Sequence, residues 1–220
     1  MYALSDIATY SLVTLSAIFF VVDPFAAVPL FLAITRGDSP EKRRLTARRA
    51  SLATFVTLTV FAAAGTLIFK LFGITLGAFK IAGGVLLFLM AIDMMRARQS
   101  RVRLTPGEQA EGVERDDVAI IPLAIPMLAG PGAIATVMVL VSQARSKLYA
   151  VPVFGAIVLT SVATYLVLRG ASLAEKTLKH TGMNILTRVM GLILAAIAVQ
   201  FIVGGVADVA PVVVQAVHAH

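Results

Sequence analysis

Apolar residues run through this chain in long blocks, and clusters of polar residues cut those blocks to a similar length. Six blocks emerge, at about Ile7 to Ile34, Arg48 to Phe69, Ile74 to Met95, Val118 to Val141, Ala150 to Leu168 and Ile185 to Val206. Each is near the ~20 residues a helix needs to cross a hydrocarbon core of ~30 Å. The pattern predicts an all-α polytopic membrane protein with six transmembrane helices. Ahead of the second block, Ser39 can cap a helix with Pro40 at its first position and Glu41 in its first turn, chemistry that suits a helix N-terminus. No Lys or Arg occurs in Met1 to Ser5, and the first apolar run exceeds a signal-peptide core, so the first block reads as a true span.

Two blocks carry helix breakers. Asp23-Pro24 interrupts the first and Gly130-Pro131-Gly132 the fourth, and the two prolines stand 107 positions apart. Pro removes a backbone donor and clashes with the preceding turn, and Gly weakens a helix further. In lipid, such backbone is tolerated only where protein buries it or where it lines a cavity. Shifts of 107 to 109 positions also align Phe72-Gly73-Ile74 with Thr181-Gly182-Met183, Lys80 to Gly83 with Arg188 to Gly191, and Thr54 and Thr57 with Ser161 and Thr164. A duplicated three-helix unit follows, with residues 1–98 the first repeat, 99–117 a cytoplasmic linker and 118–220 the second. Three is odd, so the second unit is expected upside down relative to the first. Matched breaks in inverted repeats point to a transporter's binding site.

Composition agrees with the membrane assignment: 59% of residues are hydrophobic, 14% are charged, and mean hydropathy is +0.91. The net charge of +7 would suggest nucleic acid in a soluble protein, but the basic residues sort by loop. Arg36, Lys42, Arg43, Arg44, Arg48 and Arg49 lie in the first connection, Arg96, Arg98, Arg101, Arg103 and Arg115 in the third, and Arg169, Lys176, Lys179 and Arg188 in the fifth. The other side holds Lys70, Lys80, Arg145 and Lys147. The positive-inside rule then places both termini outside the cytoplasm. The expected partners are the lipid bilayer and a small-molecule substrate, with no nucleic acid, and a homo-oligomer is allowed. The chain has no cysteine, which excludes disulfides and thiolate chemistry. His180, His218 and His220 fall outside the spans, and neither a His-Glu-x-x-His nor a Gly-x-Ser-x-Gly string occurs, so no enzyme, metal site or cofactor is expected.

Asp23 reads as the acid well inside a span, about 15 residues or roughly 22 Å from the outer face at ~1.5 Å per residue. A carboxylate there costs at least ~2.5 to 3.5 kcal/mol and needs a donor, a cation or a proton. It can cap the half-helix starting at Pro24, or hold a proton or sodium as coupling ion. The first break supplies Asp23, Pro24, Phe25 and Ala26 as candidate substrate-binding residues. The second supplies Gly130, Pro131, Gly132 and Ala133, whose amides a ligand could approach; its alternative is a packing kink. Lys80 and Arg188 are expected to snorkel to the interface, with a Lys80–Asp23 pair as the other option. Asp93 pairs naturally with Arg96 one turn on. Thr54, Thr57, Ser161, Thr164 and Gln200 are secondary candidates, more suited to interhelical hydrogen bonds. Gly73 and Gly77 form a weak close-packing motif.

The strings Asp23-Pro24-Phe25-Ala26-Ala27-Val28-Pro29-Leu30-Phe31, Lys80-Ile81-Ala82-Gly83-Gly84, Ile121-Pro122-Leu123-Ala124-Ile125-Pro126, Ala129-Gly130-Pro131-Gly132-Ala133-Ile134 and Gly191 through Gln200-Phe201-Ile202 resemble the MarC family of bacterial and archaeal inner-membrane proteins over nearly the whole chain. That family looks similar in plan to the LysE-like six-span exporters. The resemblance implies ion-coupled transport of small neutral amino acids such as glycine and alanine. The chain departs from it at Ala26-Ala27, where relatives often have Gly-Asn, and at Lys80, where Arg is common. The expected function is a secondary transporter of small zwitterions binding between the two breaks. The alternative is a non-transporting membrane module, an assembly partner or regulator.

Overall fold

A computed structural model describes the backbone of residues 2–96, 127–144 and 147–218, and side chains for 7–96, 127–144, 148–173, 182 and 185–211. The linker expected at 99–117 and the start of the fourth block, with Pro122 and Pro126, lie outside the described residues. Among the described residues seven α-helices follow in order: α1 Tyr2–Val22, α2 Ala27–Ile34, α3 Pro40–Phe72, α4 Leu76–Met95, α5 Pro131–Ser142, α6 Lys147–Arg169 and α7 Ala171–His218. No strand occurs among the described residues.

Four of these are long and apolar enough to cross a membrane: Pro40–Phe72, Leu76–Met95, Leu148–Arg169 and, within α7, Ile185–Pro211. Residues Ile7–Val22 and Ala27–Ile34 add a fifth as one span bent by 45° at the Asp23-Pro24 break. α5 is a shorter apolar helix that begins at the second break. Leu12, Leu52, Val60, Val162, Leu192 and Val203 point outward and stay exposed, as a surface wetted by lipid allows.

Local chemistry explains the element ends. Ser39 caps α3 by accepting from the Lys42 amide at 3.2 Å, as expected, and Pro40 occupies the first position. α3 stops at Gly73, whose φ of 63° is left-handed, a conformation glycine adopts without a Cβ penalty. Thr75 then caps α4 by accepting from the Ala78 amide at 3.2 Å. The second half differs. A connection was expected after Leu168, yet the only interruption among the described residues is at Gly170, and α7 runs on through Gly182, the position matched to Gly73. Residues 171–184 contain Ala, Leu, Glu, Lys and Met, strong helix formers, and no proline, so hydrophilicity did not end the helix. At ~1.5 Å per residue, the 48 residues of α7 span about 72 Å.

α4 and α7 pack antiparallel along a line of small residues at seven-residue spacing. An added Cβ at Gly77 would come within 3.0 Å of the Gly205 carbonyl, one at Gly84 within 2.8 Å of the Ala198 carbonyl, and one at Gly191 within 3.1 Å of the Ala91 carbonyl. Gly77, Gly84 and Ala91 thus face Gly205, Ala198 and Gly191. With no water to expel between spans, such contacts draw helices together through backbone-to-backbone dispersion. A shift of 107 positions carries Gly84 onto Gly191 and Ala91 onto Ala198, as it carries Pro24 onto Pro131.

Both breaks open onto one core. A single hydrophobic cluster contains Val22 and Ala27, which flank the first break, together with Leu128, Ala129 and Ala133 around the second. α3 and α6 close it with Ala50, Leu58, Val153 and Ile157. Tyr10 ties α1 to its neighbours: its hydroxyl donates to the Leu140 carbonyl at 3.2 Å, and its ring meets Tyr149 edge-on at 5.5 Å.

Candidate functional site

Asp23 performs two structural tasks. Its N–H donates to the Phe19 carbonyl at 2.9 Å, closing α1, with its own backbone left-handed at φ 49°. Asp tolerates that region better than most residues with a Cβ, and it is the one non-glycine residue with positive φ among the described residues. Its Oδ1 then accepts from the Ala26 amide at 3.2 Å, bracing the turn over residues 24–26; the half-helix expected to start at Pro24 begins instead at Ala27, behind Ala26, which makes no side-chain cap bond. Asp23 therefore closes one half-helix with its backbone and braces the turn that leads to the next with its side chain. The carboxylate is 1% exposed, Pro24 is buried, and Phe25 and Ala26 are half-buried.

At the second break Gly130 is extended (φ −70°, ψ 173°) and its carbonyl accepts from Ile134 at 3.0 Å, opening α5. Ala129, Gly130, Gly132 and Ala133 are buried and Pro131 is exposed. Gly132 has a packing role not visible in the sequence. A Cβ there would meet Leu87 Cδ2 at 2.7 Å and Met90 Sδ at 3.1 Å, so a side chain at this position would require the ends of Leu87 and Met90 on α4 to shift. The Thr136 hydroxyl, fully buried, donates to the Gly132 carbonyl at 2.9 Å. Apart from the exposed Pro131 the helix start is buried, and its first-turn amides carry the positive end of the α5 dipole.

Lys80 does not pair with Asp23. Its Nζ donates to Asp208 Oδ2 at 2.6 Å, with the lysine side chain 8% and the aspartate 43% exposed. The depths explain this: Lys80 lies one turn into α4 from the end opposite the α3 N-terminus, whereas Asp23 lies eleven residues from the α2 end that leads into α3. Asp208 stands two residues beyond the sixth apolar block, Ile185 to Val206. The apolar run in fact continues to Ala210 around that one acid, which was the available signal. Lys80 and Gln200 also line a cavity of ≈ 570 Å³ between α1, α5 and α7, where Ser16 and Gln143 add polar groups. Breaking the pair on one side leaves a desolvated ammonium. Asp208→Asn is expected to lower stability by about 1–3 kcal/mol, less than for a wholly buried pair because Asp208 is partly solvated. Denaturant titration in detergent measures this, and Lys80→Met added to Asp208→Asn should recover part of the loss; no loss in the single variant would remove the pair's structural role.

The secondary candidates separate. Thr54 and Thr164 are fully buried and donate to the Ala50 and Thr160 carbonyls at 2.9 and 2.8 Å, within their own helices. Ser161 lines a groove between α3 and α6. Asp93 is half-buried near the end of α4, whose C-cap is Arg96, far from Lys80 along the same helix. Among the described residues, no group of three acidic or histidine side chains could hold a metal ion. Three cavities are prominent: those at Lys80 and Ser161, and a charged one of ≈ 430 Å³ with Asp38, Glu41, Arg43, Arg44 and Arg169 at the basic end. None of the three is lined by Asp23, Pro24, Gly130 or Pro131.

Several apolar membrane-length helices, one broken at a buried aspartate, with an ion pair at the edge of a lipid-wetted bundle, define an integral multi-pass membrane protein. Comparison with known proteins makes the assignment specific: residues 8–210 match the model of the MarC family integral membrane protein, and the chain belongs to that family. A UPF0056 membrane protein of Methanocaldococcus jannaschii is 42% identical over 197 residues, covering 90% of this chain and 96% of that one. The UPF0056 membrane protein YvbG of Bacillus subtilis is 39% identical over 199 residues, covering 89% and 93%. The UPF0056 membrane protein YhcE of Escherichia coli is 32% identical over 194 residues, covering 88% and 90%. No solved structure matches the chain.

Proposed function

We propose that this MarC family protein is a secondary transporter, coupled to a proton or sodium ion, for small neutral amino acids or similar small zwitterions. In this reading six spans form two inverted three-helix repeats in a bacterial or archaeal inner membrane, with both termini outside the cytoplasm. Substrate binds between the breaks, and the repeats rock around it. The observation that carries the proposal is Asp23, a carboxylate 1% exposed at a bend inside an apolar span. A carboxylate at that depth, able to take up a cation or proton, suits ion coupling. The α5 start, in the same apolar cluster, offers amides and a positive dipole end for a substrate carboxylate. The zwitterion's two charges would find opposite partners.

The test is uptake of radiolabelled glycine, alanine and serine into vesicles reconstituted with the full chain, under an imposed proton or sodium gradient. Gradient-dependent accumulation of at least one supports the proposal, and its absence for all three under both gradients sinks it. A second reading, a non-transporting membrane module, is favoured by the tight fit of Gly132 against Leu87 and Met90, which gives the second break a packing purpose. It predicts a partner protein that co-purifies and no flux.

A further inference from the structure

The groove between α3 and α6 is graded along its length in a way neither transport nor helix packing requires. The two helices are antiparallel: the α3 residues Arg43 and Arg44 share a cavity with Leu168 and Arg169 at the end of α6, and the Arg43 guanidinium donates to the Ser172 hydroxyl at 3.3 Å just beyond it. Moving inward from that end, three tiers follow in a groove of ≈ 450 Å³. Arg48 and Tyr165 form the first, Ser51 and Ser161 the second, and Phe55 and Val158 the third. Three or four residues separate successive tiers on each helix, or about 5 Å at ~1.5 Å per residue.

The middle tier is the unusual one. Ser51 and Ser161 are 5% and 7% exposed, and neither hydroxyl has a hydrogen-bond partner among the described residues. Buried hydroxyls without partners are costly and call for one. Arg48 is exposed and makes no ion pair among the described residues. A guanidinium, then two hydroxyls, then an apolar floor, each about 5 Å apart, complements a phosphate, its glycerol ester oxygens and an acyl chain.

We propose that this groove is a binding site for an anionic phospholipid of the leaflet at the α3 N-terminal end. The phosphate pairs with Arg48 beside the Tyr165 hydroxyl, the ester oxygens accept from Ser51 and Ser161 after a small side-chain adjustment, and one acyl chain lies over Phe55 and Val158. Arginine suits the first role, since its planar fork matches phosphate oxygens. The site is independent of the transport reading and stands or falls on lipid selectivity.

The chain has no tryptophan, so Phe55→Trp places a single fluorophore in the deepest tier. In vesicles of phosphatidylcholine with increasing shares of phosphatidylglycerol, chain-brominated versions of each lipid quench that tryptophan in proportion to their occupancy. Phosphatidylglycerol is expected to be preferred about five-fold, the size of one basic contact at an anionic surface. Arg48→Gln should bring the preference to about one, while Arg36→Gln, an exposed arginine outside the groove, should leave it. Inorganic phosphate added to the vesicles should not reduce the quenching. Equal quenching by the two lipids in the Arg48 protein would overturn the proposal, as would an Arg48→Gln variant with undiminished preference. Loss of the preference on adding inorganic phosphate would show a free-anion site instead. The selectivity of the Arg48 protein alone decides the matter if Arg48→Gln does not fold.

Discussion

Gly84→Ala is expected to destabilise the protein by about 1–3 kcal/mol, while Gly204→Ala, at a site on the partner helix, is expected to stabilise it by about 0.5–1 kcal/mol. Both replace a glycine in the interior of a membrane helix, so intrinsic propensity would favour alanine at both. The surroundings decide otherwise. A Cβ at Gly84 would sit 2.8 Å from the Ala198 carbonyl and 3.1 Å from the Ile202 amide, backbone atoms that move only if α7 moves. At Gly204 nothing lies within 4 Å. Unfolding in mixed micelles of dodecyl maltoside and SDS, followed by circular dichroism, measures both variants against the parent. A shift of the same sign in both would mean that the closeness of α4 and α7 does not govern stability.

Neutralising Asp23 should separate its turn-bracing bond from its charge. Asp23→Asn keeps an oxygen that can accept from Ala26, and Asn tolerates the left-handed region as Asp does, so stability should stay within about 1 kcal/mol of the parent. Asp23→Ala loses that bond and gains backbone strain, with an expected loss of about 2 kcal/mol. Transport divides the variants differently. If the carboxylate handles the coupling ion, Asp23→Asn should cut gradient-driven accumulation roughly ten-fold or more while the protein remains folded. Wild-type accumulation by a folded Asp23→Asn variant would leave the residue as a turn brace alone.

How far the sequence could be read depended on the range of each interaction. Ser39-Pro40 acts on backbone within four residues and caps α3 as its chemistry dictates, and Asp23-Pro24 ends the first half-helix, although the next begins at Ala27 and not at Pro24; of Gly73 and Gly77, only Gly77 lies against a neighbouring helix. The extent of α7 was missed because a polar stretch with Lys176 and Lys179 resembles a loop in a hydropathy trace, although its residues are good helix formers. The Lys80 partner was missed for another reason: an ion pair 128 residues apart in sequence depends on which helices adjoin. Gly132 shows the limit most clearly. Glycine beside proline suggests a ligand's approach or a packing kink, and the nearness of Leu87 and Met90 to Gly132 depends on which helices adjoin, which no local pattern records.

The stripe joining α4 and α7 leaves one question of alignment that the ion pair answers. Small residues recur every seven positions on both helices, so sliding α7 by seven would set Gly77 against Ala198 and Gly84 against Gly191 with nearly the same fit. The side chains that enter the stripe, Val209 at Gly77 and Ile202 at Gly84, are aliphatic and carry no charge to forbid the slip. Lys80 does: in the slipped arrangement it would face Phe201 in place of Asp208, leaving a charge stranded in lipid at a cost of several kcal/mol. The pair thus works as a locating pin, contributing modestly to how strongly the two helices adhere and decisively to which of two near-equivalent alignments they adopt.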